Sequence, residues 1–193
     1  MKSPFTFLTP GKLEDDDLEL VLVGKHPADA TRKRSPWYEF EMRRPGKRTK
    51  LGRIRFRVDS ARRLRLPGHL GFEVNKRHRG HRYAARSCRL LLPLAHAHGL
   101  PSLWITCDPK NMASRRSCEL AGGKSVQTVR IPKRHEMYAK DRRSVCRYRI
   151  DVKKEMSNNG IQTAAPVPLA LRRKWGQLSL IRCNDIKFHK EGL

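Results

Sequence analysis

The pattern of polar and apolar positions marks four strand candidates in the first half of the chain, two of them with clear period-two alternation. Residues 18–23 read Leu-Glu-Leu-Val-Leu-Val and are followed by Gly24. Residues 37–42 put Trp37, Glu39 and Glu41 on one face and Tyr38, Phe40 and Met42 on the other. Residues 51–58 alternate Ile54, Phe56 and Val58 with Arg53, Arg55 and Arg57, so one face suits a core and the other carries three arginines. Residues 69–74 form a fourth candidate, opening after Pro67 and Gly68. This alternation is the signature of strands with one buried face.

The period then changes. Between residues 80 and 98 the small and apolar side chains Ala84, Ala85, Cys88, Leu91, Leu92 and Ala95 recur at spacings of three and four. That predicts an amphipathic helix ending at Gly99, with a kink at Pro93, which cannot bond to the carbonyl of Arg89. Residues 103–107 predict a short buried strand, broken by Asp108 and Pro109. Asn111 is a good N-cap for a second helix running to about residue 120, with Gly122 and Gly123 as its stop. Two further strands are expected at 125–131 and 145–152. The predicted fold is α+β: a mixed, mostly antiparallel sheet of about six to seven strands, with two main helices.

Beyond residue 152 the patterning fades. Residues 153–193 hold eight Lys/Arg against three Asp/Glu and too few apolar positions for a core. They are expected to be a basic C-terminal tail, flexible or loosely docked, after a domain at residues 1–152. The whole chain has 193 residues and a formal charge of +25. Such a charge attracts polyanions but selects no fold. It leaves open a weak association with nucleic acid or the ribosome. The longest clearly apolar run, 90–95, is far shorter than the ~20 residues of a membrane span. The first ten residues lack the apolar core of a signal peptide. The five cysteines are odd in number and lack zinc spacing, so a reduced, cytoplasmic chain without a metal is expected.

The most informative stretch is Gly71-Phe72-Glu73-Val74-Asn75-Lys76-Arg77-His78-Arg79-Gly80-His81-Arg82-Tyr83-Ala84. A strand ends, a basic turn containing glycine follows, and a helix begins. First-turn amides of a helix have no internal partners and lie at the positive end of its dipole, so such a turn can bind phosphate. It is neither a Walker loop nor the dinucleotide fingerprint. Taken alone, Gly80 would equally suit an ordinary helix start.

The stretch 79–84 resembles the central motif of the GNAT superfamily of N-acetyltransferases, Gln/Arg-x-x-Gly-x-Gly/Ala. Arg79 matches its first position and Ala84 its last, and Arg82 replaces the expected glycine. A second stretch, from Asn111 through Ser114 to Glu119 and Gly122, resembles that superfamily's Asn-x-x-Ser/Ala…Glu-x-x-Gly helix. The two occur in the family's order and at its spacing, and the resemblance spans roughly residues 18–152.

The resemblance implies a splayed central strand pair and acetyl-CoA as co-substrate. The pyrophosphate would lie on the amides of Arg79, Gly80, His81, Arg82, Tyr83 and Ala84. The pantetheine arm would run along Phe72, Val74 and Asn75, with the Val74 amide polarising the thioester carbonyl, and Asn111 and Arg115 would face the cofactor. Asn111 is equally explained as an N-cap. Cys118 stands where many members keep the tyrosine that reprotonates the CoA thiolate, although a buried cysteine more often only packs. Glu73 is the first candidate base, with His69 and His78 behind it, and salt-bridging to an arginine is its alternative role. Thr106 stands where some members place a carboxylate. Most members insert two helices between their first two strands, but residues 24–36 have room only for a turn or one short helix. The acceptor side is therefore expected to be open or completed by a second subunit, as in a homodimer.

Acetyl transfer to an amine, on a small molecule or a protein, is the leading expectation. The alternatives are a basic RNA- or ribosome-associated module on the same fold with weak or no catalysis, and a CoA-binding regulator.

Overall fold

In the computed structural model, residues 5–139 and 142–152 are described. The expected tail at 153–193 lies outside them. The alternating segments form one eight-stranded sheet in the order β1-β2-β3-β4-β5-β6-β8-β7. Its strands are β1 (Glu14–Asp15), β2 (Leu18–His26), β3 (Trp37–Arg43), β4 (Lys50–Arg57), β5 (Leu70–Val74), β6 (Ser102–Cys107), β7 (Lys124–Arg130) and β8 (Ser144–Asp151). All pairings are antiparallel except that of β5 with β6.

The period-two pattern translates directly into faces. Tyr38, Phe40 and Met42 from β3, and Ile54 and Phe56 from β4, are fully buried on the helix-covered side. Arg53, Arg55 and Arg57 stand on the opposite side. Residues 18–23 are part of a longer strand than the pattern suggests. A register shift between Leu22 and Gly24 lets β2 continue past Gly24 to His26, whose ring stacks on Trp37 at 3.7 Å. Between β2 and β3 the chain makes only a turn, closed by paired bonds between Asp29 and Arg34.

The helix expected over 80–98 is two helices, α1 (Tyr83–Leu90) and α2 (Leu92–Ala97). Leu91 ends the first and begins the second. Pro93 therefore sits in the first turn of α2, where its missing N–H costs no helical bond. The third helix, α3 (Met112–Leu120), is capped by Asn111, whose side-chain oxygen accepts from the Ser114 amide at 2.9 Å. Residues of α1 and α2, with Cys118 and Ala121 at the end of α3, join the inner sheet face in one hydrophobic core.

The β5–β6 pairing positions everything that follows. These two strands share one register pair, Leu70 with Ile105, backed by a bond from the His69 amide to the Trp104 carbonyl. Beyond Leu70 they separate. The sheet thus has a splay at its centre, as the resemblance implies.

Candidate functional site

The splay leaves one edge of β5 open. Toward β4, the His69 carbonyl accepts from Arg57 and the Asn75 amide donates to Leu51. Backbone groups in an antiparallel strand alternate in direction. The same parity turns the backbone of Gly71 and Glu73 toward β4, and that of Phe72 and Val74 toward the gap. The Arg79 guanidinium folds back there, donating to the Val74 carbonyl at 3.2 Å.

A cavity of about 450 Å³ occupies this gap. Phe72, Glu73 and Val74 of β5 form one wall, and His78, Arg79 and Gly80 of the turn form a second. Arg82, Tyr83 and Ala84 at the start of α1 lie at its head, and Asn111, Ala113, Ser114, Arg116, Ser117 and Leu120 from α3 close it. The turn carries a short 3₁₀ helix, Lys76–His78, before Gly80. Gly80 has φ +91°, a conformation that L side chains rarely adopt, and this brings the chain round into α1. No acidic residue stands in the first turn of α1. Arg82, its N-cap, has φ +57° and ψ +17°. The position where the resembled motif has glycine is thus a left-handed one, and arginine occupies it under strain.

Of the residues implied by the resemblance, Phe72, Glu73, Val74, Arg79, Gly80, Arg82, Tyr83, Ala84 and Asn111 line the cavity. Four do not. The Asn75 side-chain Nδ2 donates to the Lys50 carbonyl at 2.8 Å. The His81 ring stacks against Tyr83 at 5.4 Å. Arg115 donates to the Tyr148 hydroxyl at 3.1 Å. Cys118 is fully buried in the core. A helix advances about 100° per residue, so Ala113, Ser117 and Leu120 share one face of α3. Arg115 and Cys118 fall outside that arc. The neighbouring Cys107 and burial together push the Cys118 thiol far up from its ordinary range, which ill suits it to proton transfer.

Arg116 and Ser117, which no motif singled out, also belong to the cavity, as does Ser114, the Ser/Ala position of the second motif. The signal for Ser117 was present: it lies three residues beyond Ser114, on the same side of the helix. Tyr83 lends the cavity its body, but its hydroxyl is committed elsewhere, donating to Asp17 at 2.6 Å.

Glu73 stands at the rim, exposed, with Arg53 directly across the β4–β5 ladder. Two guanidinium nitrogens of Arg53 reach its Oε2, at 2.9 and 3.2 Å. His69 is buried instead. Its Nδ1 accepts from the Trp104 amide at 3.1 Å and its Nε2 faces the Asp59 carbonyl at 3.0 Å. Burial lowers its pKa, so it is a structural neutral imidazole. Thr106 is likewise occupied, donating to the Leu66 carbonyl at 2.8 Å. No group of residues suited to hold a metal ion occurs among the described residues. No helix among them is long and apolar enough to cross a membrane.

A glycine turn leading into a helix, beside a strand splayed from its parallel neighbour, is the arrangement of an acetyltransferase domain. The family model for the acetyltransferase (GNAT) domain matches residues 6–124, and the chain belongs to that family. No curated protein matches it. Among solved structures it is similar to a GNAT-family acetyltransferase from Bacillus anthracis, with 20% identity over 58% of this chain and 65% of that one, TM-score 0.47. It is also similar to Mycobacterium smegmatis RimJ in complex with CoA-disulfide, with 18% identity over 69% of this chain and 59% of that one, TM-score 0.48. A third is an acetyl transferase from Salmonella typhimurium that modifies the N-terminal serine of ribosomal protein L7/L12, with 14% identity over 61% of this chain and 64% of that one, TM-score 0.47. The matched region spans less than two thirds of each of these proteins.

Proposed function

We propose that the protein transfers an acetyl group from acetyl-CoA to a primary amine by direct attack. The observation that carries this reading is the cavity between the open edge of β5 and the N-termini of α1 and α3. The residues present fit the co-substrate. Phe72 and Val74 turn strand backbone groups toward an amide-bearing arm, the Val74 carbonyl already accepting from Arg79. The first-turn amides of α1, with Arg79 and Arg82 beside them, offer donors and positive charge to a pyrophosphate. The amine nitrogen bonds to the thioester carbon, the C–S bond breaks, and CoA leaves with its sulfur pair. Glu73, at the rim of the same cavity, accepts the proton that the amine loses.

The reading of a basic nucleic-acid module draws less support. On the outer sheet face Arg53 pairs with Glu73, Arg55 with Glu39, and Arg43 and Lys50 with Glu41. Those cations are largely neutralised within the molecule.

Calorimetric titration with acetyl-CoA, followed by thiol release over a panel of amines, tests the proposal. Saturable binding and amine-dependent thiol release are expected. Gly80→Glu should weaken acetyl-CoA at least tenfold, because it sets a carboxylate where the pyrophosphate is placed. A Cβ at Gly80 would meet nothing within 4 Å, so the loss is not one of crowding. Gly80→Ala, with the same backbone strain and no charge, should bind far better than Gly80→Glu. Equal acetyl-CoA affinity in Gly80→Glu and the parent would show that the site is elsewhere.

A further inference from the structure

A second, smaller cavity of about 150 Å³ lies beside the first, lined by Arg53, Arg55, Arg57, Gly71, Phe72 and Glu73. Phe72 and Glu73 border both cavities. The smaller one is therefore reached from the outer face of the sheet, and it opens beside the carboxylate assigned above to the amine. Its three arginines are not equivalent. Arg53 is held by Glu73 and Arg55 by Glu39. Arg57 is half-buried, and among the described residues its guanidinium makes one hydrogen bond, to the Gly68 carbonyl, long at 3.5 Å, and meets no carboxylate. Burial and the like charge of Arg55 both push its pKa down, the mark of an uncompensated cation. A guanidinium withdrawn from water without a counter-ion is costly, and an anion seated against it relieves that cost.

The position opposite supports the same reading. Gly71 faces Arg55 across the ladder, and a Cβ there would stand 3.4 Å from one terminal nitrogen of Arg57. Glycine thus keeps the guanidinium uncovered from above. Gly71 is two residues from Glu73, a separation of roughly 7 Å along a strand.

We propose that the Arg55–Arg57 cavity binds an anionic group of the acceptor, so that the substrate is an amine carrying a carboxylate or phosphate roughly 7 Å from its nitrogen. A planar guanidinium pair suits either group through paired N–H donors. The acceptor's anion would fix its orientation and bring its amine to Glu73. This rests on the acetyl-transfer reading, and the two can fail separately.

The probe is 5-aminovalerate compared with its uncharged amide, 5-aminovaleramide. Acetyl-CoA binding is measured first, and its absence defeats the acetyl-transfer reading alone. Each probe is then titrated into the full chain, saturated with CoA if CoA binds and free if it does not. The acid should bind at least tenfold more tightly than the amide, and where turnover occurs its kcat/KM should exceed the amide's by a similar factor. 4-Aminobutylphosphonate, which keeps the spacing of 5-aminovalerate and exchanges the carboxylate for a phosphorus oxyanion, separates the two anion chemistries. In Arg57→Met the preference for the acid should fall toward one, through KM rather than kcat. Arg57→Lys should keep part of it. The melting temperature of Arg57→Met should not fall, since an unpaired cation is removed. Equal binding of acid and amide by the parent protein, or an undiminished preference in a folded Arg57→Met, would overturn the proposal.

Discussion

The Tyr83 hydroxyl donates to Asp17 Oδ2 at 2.6 Å, across 66 residues of sequence. Arg86, one turn further along α1, donates to Asp17 Oδ1 at 2.6 Å and to Asp15 Oδ2 at 2.8 Å, and also meets the Asp15 carbonyl. The turn between β1 and β2 is thereby clasped to the helix whose N-terminus heads the larger cavity. The Tyr83 hydroxyl and the Arg86 guanidinium hold the Asp17 carboxyl below its usual range.

The Tyr83→Phe variant should therefore lose about 1 kcal/mol of stability, since it removes one charge-assisted bond at a partly exposed site and leaves Arg86 in place. Urea unfolding near neutral pH measures it. Acetyl-CoA affinity should change little, because the hydroxyl points away from the cavity. A large loss of affinity at unchanged stability would show that Tyr83 serves the ligand directly.

A second prediction concerns pH. His98 is packed between Phe5, Tyr38 and Phe56, and its Nε2 lies 2.7 Å from the Tyr38 hydroxyl. Burial lowers its pKa to about 4. The folded value is below the unfolded one of about 6.5, so the folded state resists the proton. Its contribution is complete above about pH 6.5 and is lost as pH falls toward about 4. Allowing for partial exposure, roughly 1–2 kcal/mol should disappear over that interval. Denaturation midpoints at a series of pH values should show the decline, and His98→Gln should flatten it. An equal decline in His98→Gln would assign it to other groups.

Arg82 offers a direct probe of the departure from the family motif. Glycine adopts its φ of +57° without penalty, whereas arginine is strained there. Arg82→Gly should raise stability by up to about 1 kcal/mol, part of the relief being offset by glycine's freedom in the unfolded chain. Arg82→Ala keeps the strain and should give no gain. Thermal melts of the two variants decide the point.

The strands and both motif helices were legible in the sequence because each rests on a local period or a local cap. Asn111 shows this: one side chain bonding to Ser114 starts α3 where the pattern placed it. Properties that depend on distant pairings were not legible. Nothing local to β7 and β8 reveals that β8 inserts between β6 and β7, or that Glu14 and Asp15 add an eighth strand. The face of α3 is a similar case. The motif gave the right helix, but only the packing of α3 on β6 and β7 turns Ser114 and Ser117 to the cavity and buries Cys118.

That burial yields the fourth prediction. Cys118→Ala should cost about 1 kcal/mol through the small void it leaves and should keep kcat within a few-fold. General acid catalysis is worth roughly 10²–10⁴-fold, so a catalytic thiol would be unmistakable. A hundredfold fall in turnover with unaltered melting and acetyl-CoA binding would restore Cys118 to the chemistry.

Glu73 is the first candidate base at the cavity rim, ahead of His78 on the turn, and its two roles make opposite forecasts. As a base it receives the amine proton, so Glu73→Gln should lower kcat by roughly 10²-fold or more and leave acetyl-CoA affinity nearly unchanged. Glu73→Asp, which keeps a carboxylate on a shorter stem, should recover part of that rate. As a mere partner for Arg53 it is one exposed ion pair, worth about 0–1 kcal/mol, and its loss should leave kcat within a few-fold. Turnover of Glu73→Gln near the parent's, at unchanged acetyl-CoA affinity, would assign the proton to another acceptor and leave Glu73 as the counter-ion of Arg53.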